Sequence, residues 1–500
     1  MKLSVIYPLP FFKACGAVIV SCLLLTACSK DFINLTPQSN QTTATFFKTA
    51  SDFQQGVNAI YDGLQSTQTY GKAYYYLMEV RSDNSDIWDR GALAGVASQI
   101  DFFTEVTTNP FISDGYAGAY VIITRANAVL DQIDAAAIPD SSKKQFKGEA
   151  LFLRALSYFN LVRLYGPVPL VIKTETTSQA LNHKRNAAAE VYAQIENDLQ
   201  TAASLLPAVY TNVNDYGRAT AGSAYGLLGK VLVTEKKWPN ALTALKNVGN
   251  TYSLVSDYAD LYKPANIINT EMLFAVRFKK GLSPSEGNNY FADMVPVSFF
   301  YNGILYGGSN NNRPTRNLVA AYEAGDKRLG ISLDTVYYNS ATNLMKGNYV
   351  KKYLDVPGAT NDGGSSFPVL RYADILLLQA EALNEQGYNG GTGDGTAFGY
   401  LNAVRRRAGL PEKTAVDLPD QASFRDAVFR ERRVELAFEN DRWFDLARNS
   451  KGVSVMQAHL QQEYGLTTPV LNTDRLLFPI PQSEINIHND PASFPQNKGY

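Results

Sequence analysis

The segment Tyr74-Tyr75-Tyr76-Leu77-Met78-Glu79-Val80-Arg81-Ser82-Asp83-Asn84-Ser85-Asp86-Ile87-Trp88 sets aromatic planes beside a guanidinium, several carboxylates and an amide. A sugar presents apolar C–H faces and a rim of hydroxyls. The ring of Trp or Tyr meets such a face at low rotamer cost, while Asn, Asp and Arg hydrogen-bond at its edge. Arg81, Asp83, Asn84 and Trp88 are therefore the first ligand-binding candidates. A structural role competes: Arg81 and Asp83 as capping or paired residues, Trp88 as core. The second candidates are Tyr290, Phe299, Tyr301 and Tyr306, in a stretch rich in Gly and Asn, where core packing again competes.

Catalytic and metal chemistry leave no comparable trace. There is no Gly-x-Ser-x-Gly elbow and no His-Glu-x-x-His, and the glycine loop around Gly393 lacks the Lys-Ser/Thr of a phosphate cradle. His183, His459 and His488 stand apart in sequence and read as surface or capping residues. Asp83, Asp86 and Asp89 are dense but lack the spacing and glycine of a calcium loop. Nothing marks a glycosidase pair of carboxylates. No catalytic residue, metal or cofactor is expected.

The N-terminus fixes the compartment. Residues 14–27 are apolar or small, long enough for a signal h-region and too short for a bilayer span. They end in Leu25-Thr26-Ala27-Cys28, the pattern of a bacterial lipobox, in which the cysteine is lipidated and becomes the new N-terminus. Residues 1–27 are then a removed signal, Cys28 the anchor, and 28–45 a polar tether. Cys15 and Cys22 leave with the signal, so the mature chain has no internal disulfide and relies on core burial. Loss of Lys2 and Lys13 takes the formal charge from -1 to -3, without a basic run, which argues against nucleic acid as a partner.

The remaining residues, 46–500, read as one domain with a helical part over 46–250 and a second part over 251–500. A capping-box pattern at Ser142 and Gln145 precedes a helix over 150–165 that is apolar on nearly every face and stops at Gly166-Pro167. Val191, Ile195, Leu199, Ala202 and Leu206 mark a second helix with a single apolar stripe. Tyr225, Leu228, Gly229 and Leu232, then Ala241 and Leu245, fall at the spacing of a tetratricopeptide helix pair, with Pro239 starting its second helix. Leu376, Ala380 and Leu383, followed by Ala397, Leu401 and Val404, repeat it more loosely. Such units are stable only when stacked, so about four pairs are expected. The fold is mostly α, a tetratricopeptide-like scaffold with long loop insertions and little β structure. Between about residues 252 and 366 the helical signal fades into Gly, Asn, Pro and aromatics, a ligand-facing excursion rather than a connector.

Charged residues in the C-terminal third read as structural. Arg432 and Glu435, Glu439 and Arg442, and Arg442 and Asp445 are three apart, as if facing each other across turns of one helix. Arg371 with Asp374 and the triple Arg405-Arg406-Arg407 suit the same role of tying neighbouring helices together.

Five ordered segments carry a family resemblance. They are Asp31-Phe32-Ile33-Asn34-Leu35-Thr36-Pro37; Glu149-Ala150-Leu151-Phe152-Leu153-Arg154-Ala155 through Tyr158-Phe159-Asn160-Leu161 to Tyr165-Gly166-Pro167-Val168-Pro169-Leu170; Leu370-Arg371-Tyr372-Ala373-Asp374 with Ala380-Glu381-Ala382-Leu383-Asn384; Leu401-Asn402-Ala403-Val404-Arg405-Arg406-Arg407-Ala408-Gly409-Leu410; and Glu431-Arg432-Arg433-Val434-Glu435-Leu436-Ala437-Phe438-Glu439 with Arg442-Trp443-Phe444-Asp445-Leu446. Together with the ending Leu477-Phe478-Pro479-Ile480-Pro481 and Gln496-Asn497-Lys498-Gly499-Tyr500, they resemble the SusD/RagB family of nutrient-uptake outer-membrane lipoproteins of Bacteroidetes. The resemblance implies an outward-facing glycan binder without a catalytic site. It also implies a SusC-like TonB-dependent transporter as partner, and a ligand site in the region after the first long helix, where starch-binding members place theirs. A helical-repeat lipoprotein that binds peptide and a surface hydrolase are the competing functions.

Overall fold

Several of the long helices begin at a side-chain cap that the sequence supplies, and the helices Asp140–Tyr165 and Tyr372–Gln386 end at a glycine. A computed structural model describes residues 46–500 apart from 92–94, 264, 265, 267, 360, 361 and 467–470. Cys28, the signal and the tether lie outside the described residues. Residues Thr49–Tyr500 form one compact unit.

Its longer helices are α1 (Ala50–Gln65), α2 (Pro110–Ile133), α3 (Asp140–Tyr165), α4 (Ala188–Leu205), α5 (Ala221–Thr234), α6 (Trp238–Lys246), α7 (Tyr372–Gln386), α8 (Ala397–Arg407), α9 (Gln421–Glu435), α10 (Arg442–Arg448) and α11 (Gly452–Tyr464). Thr49 caps α1 through a reciprocal bond with Asp52, and Asn109 caps α2 with Pro110 at the first helical position. α3 starts earlier than the Ser142/Gln145 pattern indicates. Pro139 stands at its N-cap with Asp140 in the first turn, and Gln145 instead donates to Glu149 at 3.0 Å. No side chain caps this end; the acid in the first turn favours it through the helix dipole instead. As expected, residues 150–165 are buried on almost every face, and the helix stops at Gly166, whose φ of 73° a β-carbon would disfavour.

Among the described residues the scaffold is four successive helix pairs, α1/α2, α3/α4, α5/α6 and α7/α8, each packed on the next. The α5/α6 pair shows why the spacing matters. A β-carbon at Gly229 would lie 2.4 Å from Leu245 Cδ2, so only glycine lets the two helices cross this closely. α7, α8 and α9 share a core of Leu376, Leu377, Phe398, Leu401, Phe424 and Val428. No helix among the described residues is long and apolar enough to cross a membrane.

Strands are few: β1 (Ser85–Asp86), β2 (Met272–Val276), β3 (Phe299–Tyr301), β4 (Ile304–Tyr306), β5 (Arg313–Pro314), β6 (Leu333–Tyr338), β7 (Leu344–Val350) and β8 (Phe367–Arg371). They form the antiparallel pairs β1/β5 and β2/β8 and a four-stranded sheet in the order β4-β3-β6-β7. The stretch read from sequence as a loop excursion is thus partly this sheet. Its inner face packs Phe291, Val295, Phe299 and Tyr349.

The charged motifs pair as the structural reading holds, but not with the neighbours that sequence spacing indicates. The run Glu431–Asp445 is not one helix: α9 ends at Glu435, and Phe438 and Asn440 take φ values of 67° and 64° before α10 begins. Arg432 binds Asp374 and Asp445 at 2.5 and 2.8 Å; Glu435 receives Arg328, Arg371 and Arg407; Glu439 receives Arg371 and Lys352. Arg371 likewise reaches Glu271, Glu435 and Glu439 rather than Asp374. These groups are buried, and a buried charge needs partners on several sides, which one helix turn does not supply.

Candidate functional site

The π-helical turn Tyr76–Val80 leads into β1, and Trp88 follows two residues after that strand. Tyr75 donates to Asp293 Oδ2 at 2.7 Å, Tyr290 donates to the carbonyl of Tyr70, and β1 pairs with β5. Asn348 of β7 donates to the Pro314 carbonyl at 2.9 Å, which joins the four-stranded sheet to β5. The two candidate segments, some two hundred residues apart in sequence, are therefore assembled in one region.

Within it the candidates divide. Trp88 is 55% exposed, and the Arg313 guanidinium lies over its ring, 4.7 Å from the centroid. Arg313 is fixed from below by a two-pronged bond to the buried Asp86, at 2.6 and 2.5 Å. A lone exposed Trp is ordinary on a protein surface. One held under a clamped guanidinium is a preset plane with a hydrogen-bonding edge.

Arg81, Asp83 and Asn84 are placed in the interior. Arg81 pairs with Glu105 at 3.0 Å, donates to the Arg475 carbonyl, and lies 3.9 Å from the Phe478 ring centroid. Asp83 takes both prongs of Arg442 at 2.7 and 2.9 Å; burial alone would raise its pKa, but Arg442 and Arg433 hold it well below the usual carboxylate range. Asn84 donates to Glu79 at 3.0 Å and accepts from Arg433 at 2.9 Å. These three side chains fasten the segment to α9 and α10 and to residues 475–478. Of this group only Trp88 stays at the surface as a candidate, with Arg313 and Asp86 behind it.

In the second group Tyr290 and Phe299 are core residues, and Tyr306 meets Phe291 edge-on at 5.2 Å. Tyr301 is 36% exposed and stacks on Phe299 at 5.8 Å. On the sheet's other face Leu305, Phe300, Tyr338 and Leu344 are consecutive cross-strand partners, an apolar row spanning all four strands. Leu305, Tyr338 and Leu344 are largely exposed. Sequence reading missed this row and Arg313. The β-branched and aromatic run Thr335-Val336-Tyr337-Tyr338 was the available signal for a strand here; no local pattern marks Arg313.

The isolated histidines are not all surface residues. His183 pairs with Glu175 and His488 stacks on Phe494 at 3.9 Å, but His459 is buried, and burial lowers its pKa. It sits in α11 beside the Tyr464 ring, on the helix's apolar side. Among the described residues no group of His, Cys, Asp and Glu could hold a metal ion.

This helical scaffold with its inserted sheet is that of a SusD-like protein. Residues 298–500 match the model of the SusD family, and residues 31–233 match a family described as starch-binding and associating with the outer membrane. The chain belongs to the SusD family. A SusD-like protein of Formosa agariphila is 28% identical over 515 residues, covering 96% of this chain and 98% of that protein. Among solved structures, a laminarin-binding SusD-like protein has a TM-score of 0.75 at 26% identity, covering 91% of this chain and 100% of that one. A SusD homolog from Bacteroides thetaiotaomicron has a TM-score of 0.78 at 26% identity, covering 92% and 98%.

Proposed function

We propose that this protein is an outer-membrane lipoprotein, anchored through Cys28 and facing outward, that binds oligosaccharide or polysaccharide and delivers it to a SusC-like TonB-dependent transporter. The observation that carries the reading is Trp88: an exposed indole whose position is set by Arg313 and Asp86. A sugar ring stacks on such a plane while its hydroxyls reach the guanidinium. The solved relative described as laminarin-binding supports a glycan as the ligand class.

The role is binding rather than catalysis. Asp86, the carboxylate next to the platform, is buried and already engaged by Arg313, so it does not present a free acid or base to a ligand. Two acyl chains on a processed lipoprotein cysteine give stable attachment, and residues 28–45 serve as the tether.

The test is calorimetric titration of the full chain in detergent against neutral oligosaccharides and against peptides. Heat with a glycan and none with peptides supports the reading; the reverse overturns it. Recovery of a large outer-membrane barrel with the protein supports the transporter partnership. Release of reducing sugar from the same glycans would replace the binder with a hydrolase.

A further inference from the structure

Two cavities of about 880 and 440 Å³ adjoin along one face of α1 and share Asp62, Gln65 and Glu286. Their combined size is that of a site for several sugar rings. The larger is lined by residues of α1, the 214–218 segment and residues 275–286, none of which belongs to the Trp88 platform.

Its charge is unbalanced toward cations. On a chain of net formal charge -1, the larger cavity carries Arg218, Arg277, Lys279 and Lys280 against Asp62 and Glu286. Three of these six charges are already compensated: Asp62 by Arg125 at 2.9 Å, Arg218 by Glu149 and Asp215, and Lys280 by Asp355. Arg277 is different. Its Nη1 donates to the Tyr216 carbonyl at 2.9 Å, and its side chain lies against Gly217, where a β-carbon would stand 2.7 Å from Arg277 Cδ. No carboxylate among the described residues pairs with it. Burial lowers its pKa and no acid offsets that loss. A guanidinium exposed at the wall of a groove and held there by one carbonyl is suited to a planar or tetrahedral oxyanion. Tyr61 and Tyr216 supply aromatic surface alongside.

We infer that this groove is a second saccharide site, selective for anionic sugars, in which Arg277 binds the carboxylate of a uronate or the sulfate of a sulfated sugar. The inference takes its ligand class from the glycan-binding reading but uses none of that reading's residues. Lys279, exposed among the lining residues, adds a second cation.

The experiment titrates the full chain in detergent with three probes: a 1,4-linked hexauronate, a sulfated hexasaccharide and a neutral gluco-hexasaccharide. Binding of either anionic probe is expected, weakening at higher salt, and the two anionic arms tell carboxylate from sulfate. Arg277→Gln should weaken that binding at least tenfold at unchanged melting temperature, Arg277→Lys should restore part of it, and Trp88→Ala should leave it intact. No binding of either anionic probe overturns the inference. So does anionic binding indifferent to Arg277→Gln, or abolished by Trp88→Ala. Neutral binding that depends on Trp88, with no anionic binding, would sink this inference alone; failure of all three probes would sink the glycan reading with it.

Discussion

Asp86 receives Nε and Nη2 of Arg313 at 2.6 and 2.5 Å, joining β1 to β5 by side chains as well as by backbone. The pair sets the height and orientation of the guanidinium over Trp88, so the platform is fixed before any ligand arrives. With Trp88 as the proposed glycan platform, little ordering entropy remains to be lost on binding.

Trp88→Ala is expected to weaken glycan binding by about 1 to 3 kcal/mol, the range for an anchoring aromatic. The melting temperature should stay unchanged, because the indole is 55% exposed. Paired calorimetric and thermal measurements check both halves; a lower melting temperature with unchanged affinity would make Trp88 a structural residue.

Adjacent arginines should behave oppositely. Arg407 is buried and pairs with Glu271 and Glu435 at 3.0 and 2.5 Å, whereas Arg406 meets only Glu412 in an exposed pair. Arg407→Gln removes one of the buried guanidiniums that offset Glu271 and Glu435, leaving Arg371 to serve both with Arg328 on Glu435, and should cost about 1.5 to 3 kcal/mol. Arg406→Gln should cost less than about 1 kcal/mol. Denaturant unfolding of the two variants gives the comparison.

Glu79 makes stability depend on pH. Its carboxylate accepts from the amides of Phe438 and Asn440, both at 3.0 Å, and from Asn84. Burial nevertheless raises its pKa from 4.5 to about 7. The folded state therefore holds this proton more tightly than the unfolded chain. The linked stability is full below pH 4.5 and is lost as pH rises through 7, by up to about 3 kcal/mol. Glu79→Gln should remove this component, read as a flatter difference in unfolding free energy between pH 4.5 and 7.5.

Gly229→Ala should destabilise by about 1 to 3 kcal/mol, since the new β-carbon would overlap Leu245 across the α5/α6 crossing. In a Leu245→Ala background the penalty should largely disappear. That coupling, measured by a double-mutant cycle, distinguishes a packing conflict from an effect on helix propensity.

Cys28→Ser should move the protein from the membrane fraction to the soluble fraction while leaving glycan affinity unchanged. Fractionation and calorimetry on the same preparation check this.

The helix pairs were legible because packing imposes a period. Gly229 facing Leu245, and the apolar stripe from Val191 to Leu206, are spacings that only a crossing helix explains. Site residues obey no such period. Arg81, Asp83 and Asn84 have the composition of a binding motif, but their partners, Glu105, Arg442 and Arg433, lie as far as some three hundred and fifty residues away, and partners decide whether a polar group faces ligand or core. Arg313 was hidden for the same reason: its meaning comes from pairing with Asp86 across β1/β5. The i, i+3 charge pairs misled because that rule describes exposed helix surfaces, whereas Glu435 and Arg432 are buried among elements from elsewhere in the chain.

The pairing of Asp83 with Arg442 spans 359 positions. A chain emerging amino end first exposes this carboxylate to water long before its guanidinium appears, and the same delay holds for Arg81 awaiting the carbonyl of Arg475. The final closure of the molecule is thus a late event, available only to a nearly complete polypeptide. A truncation that removed the last sixty residues would leave α1 to α4 with their own helical pattern but with an open seam of unmatched charge, vulnerable to proteases rather than merely missing a tail.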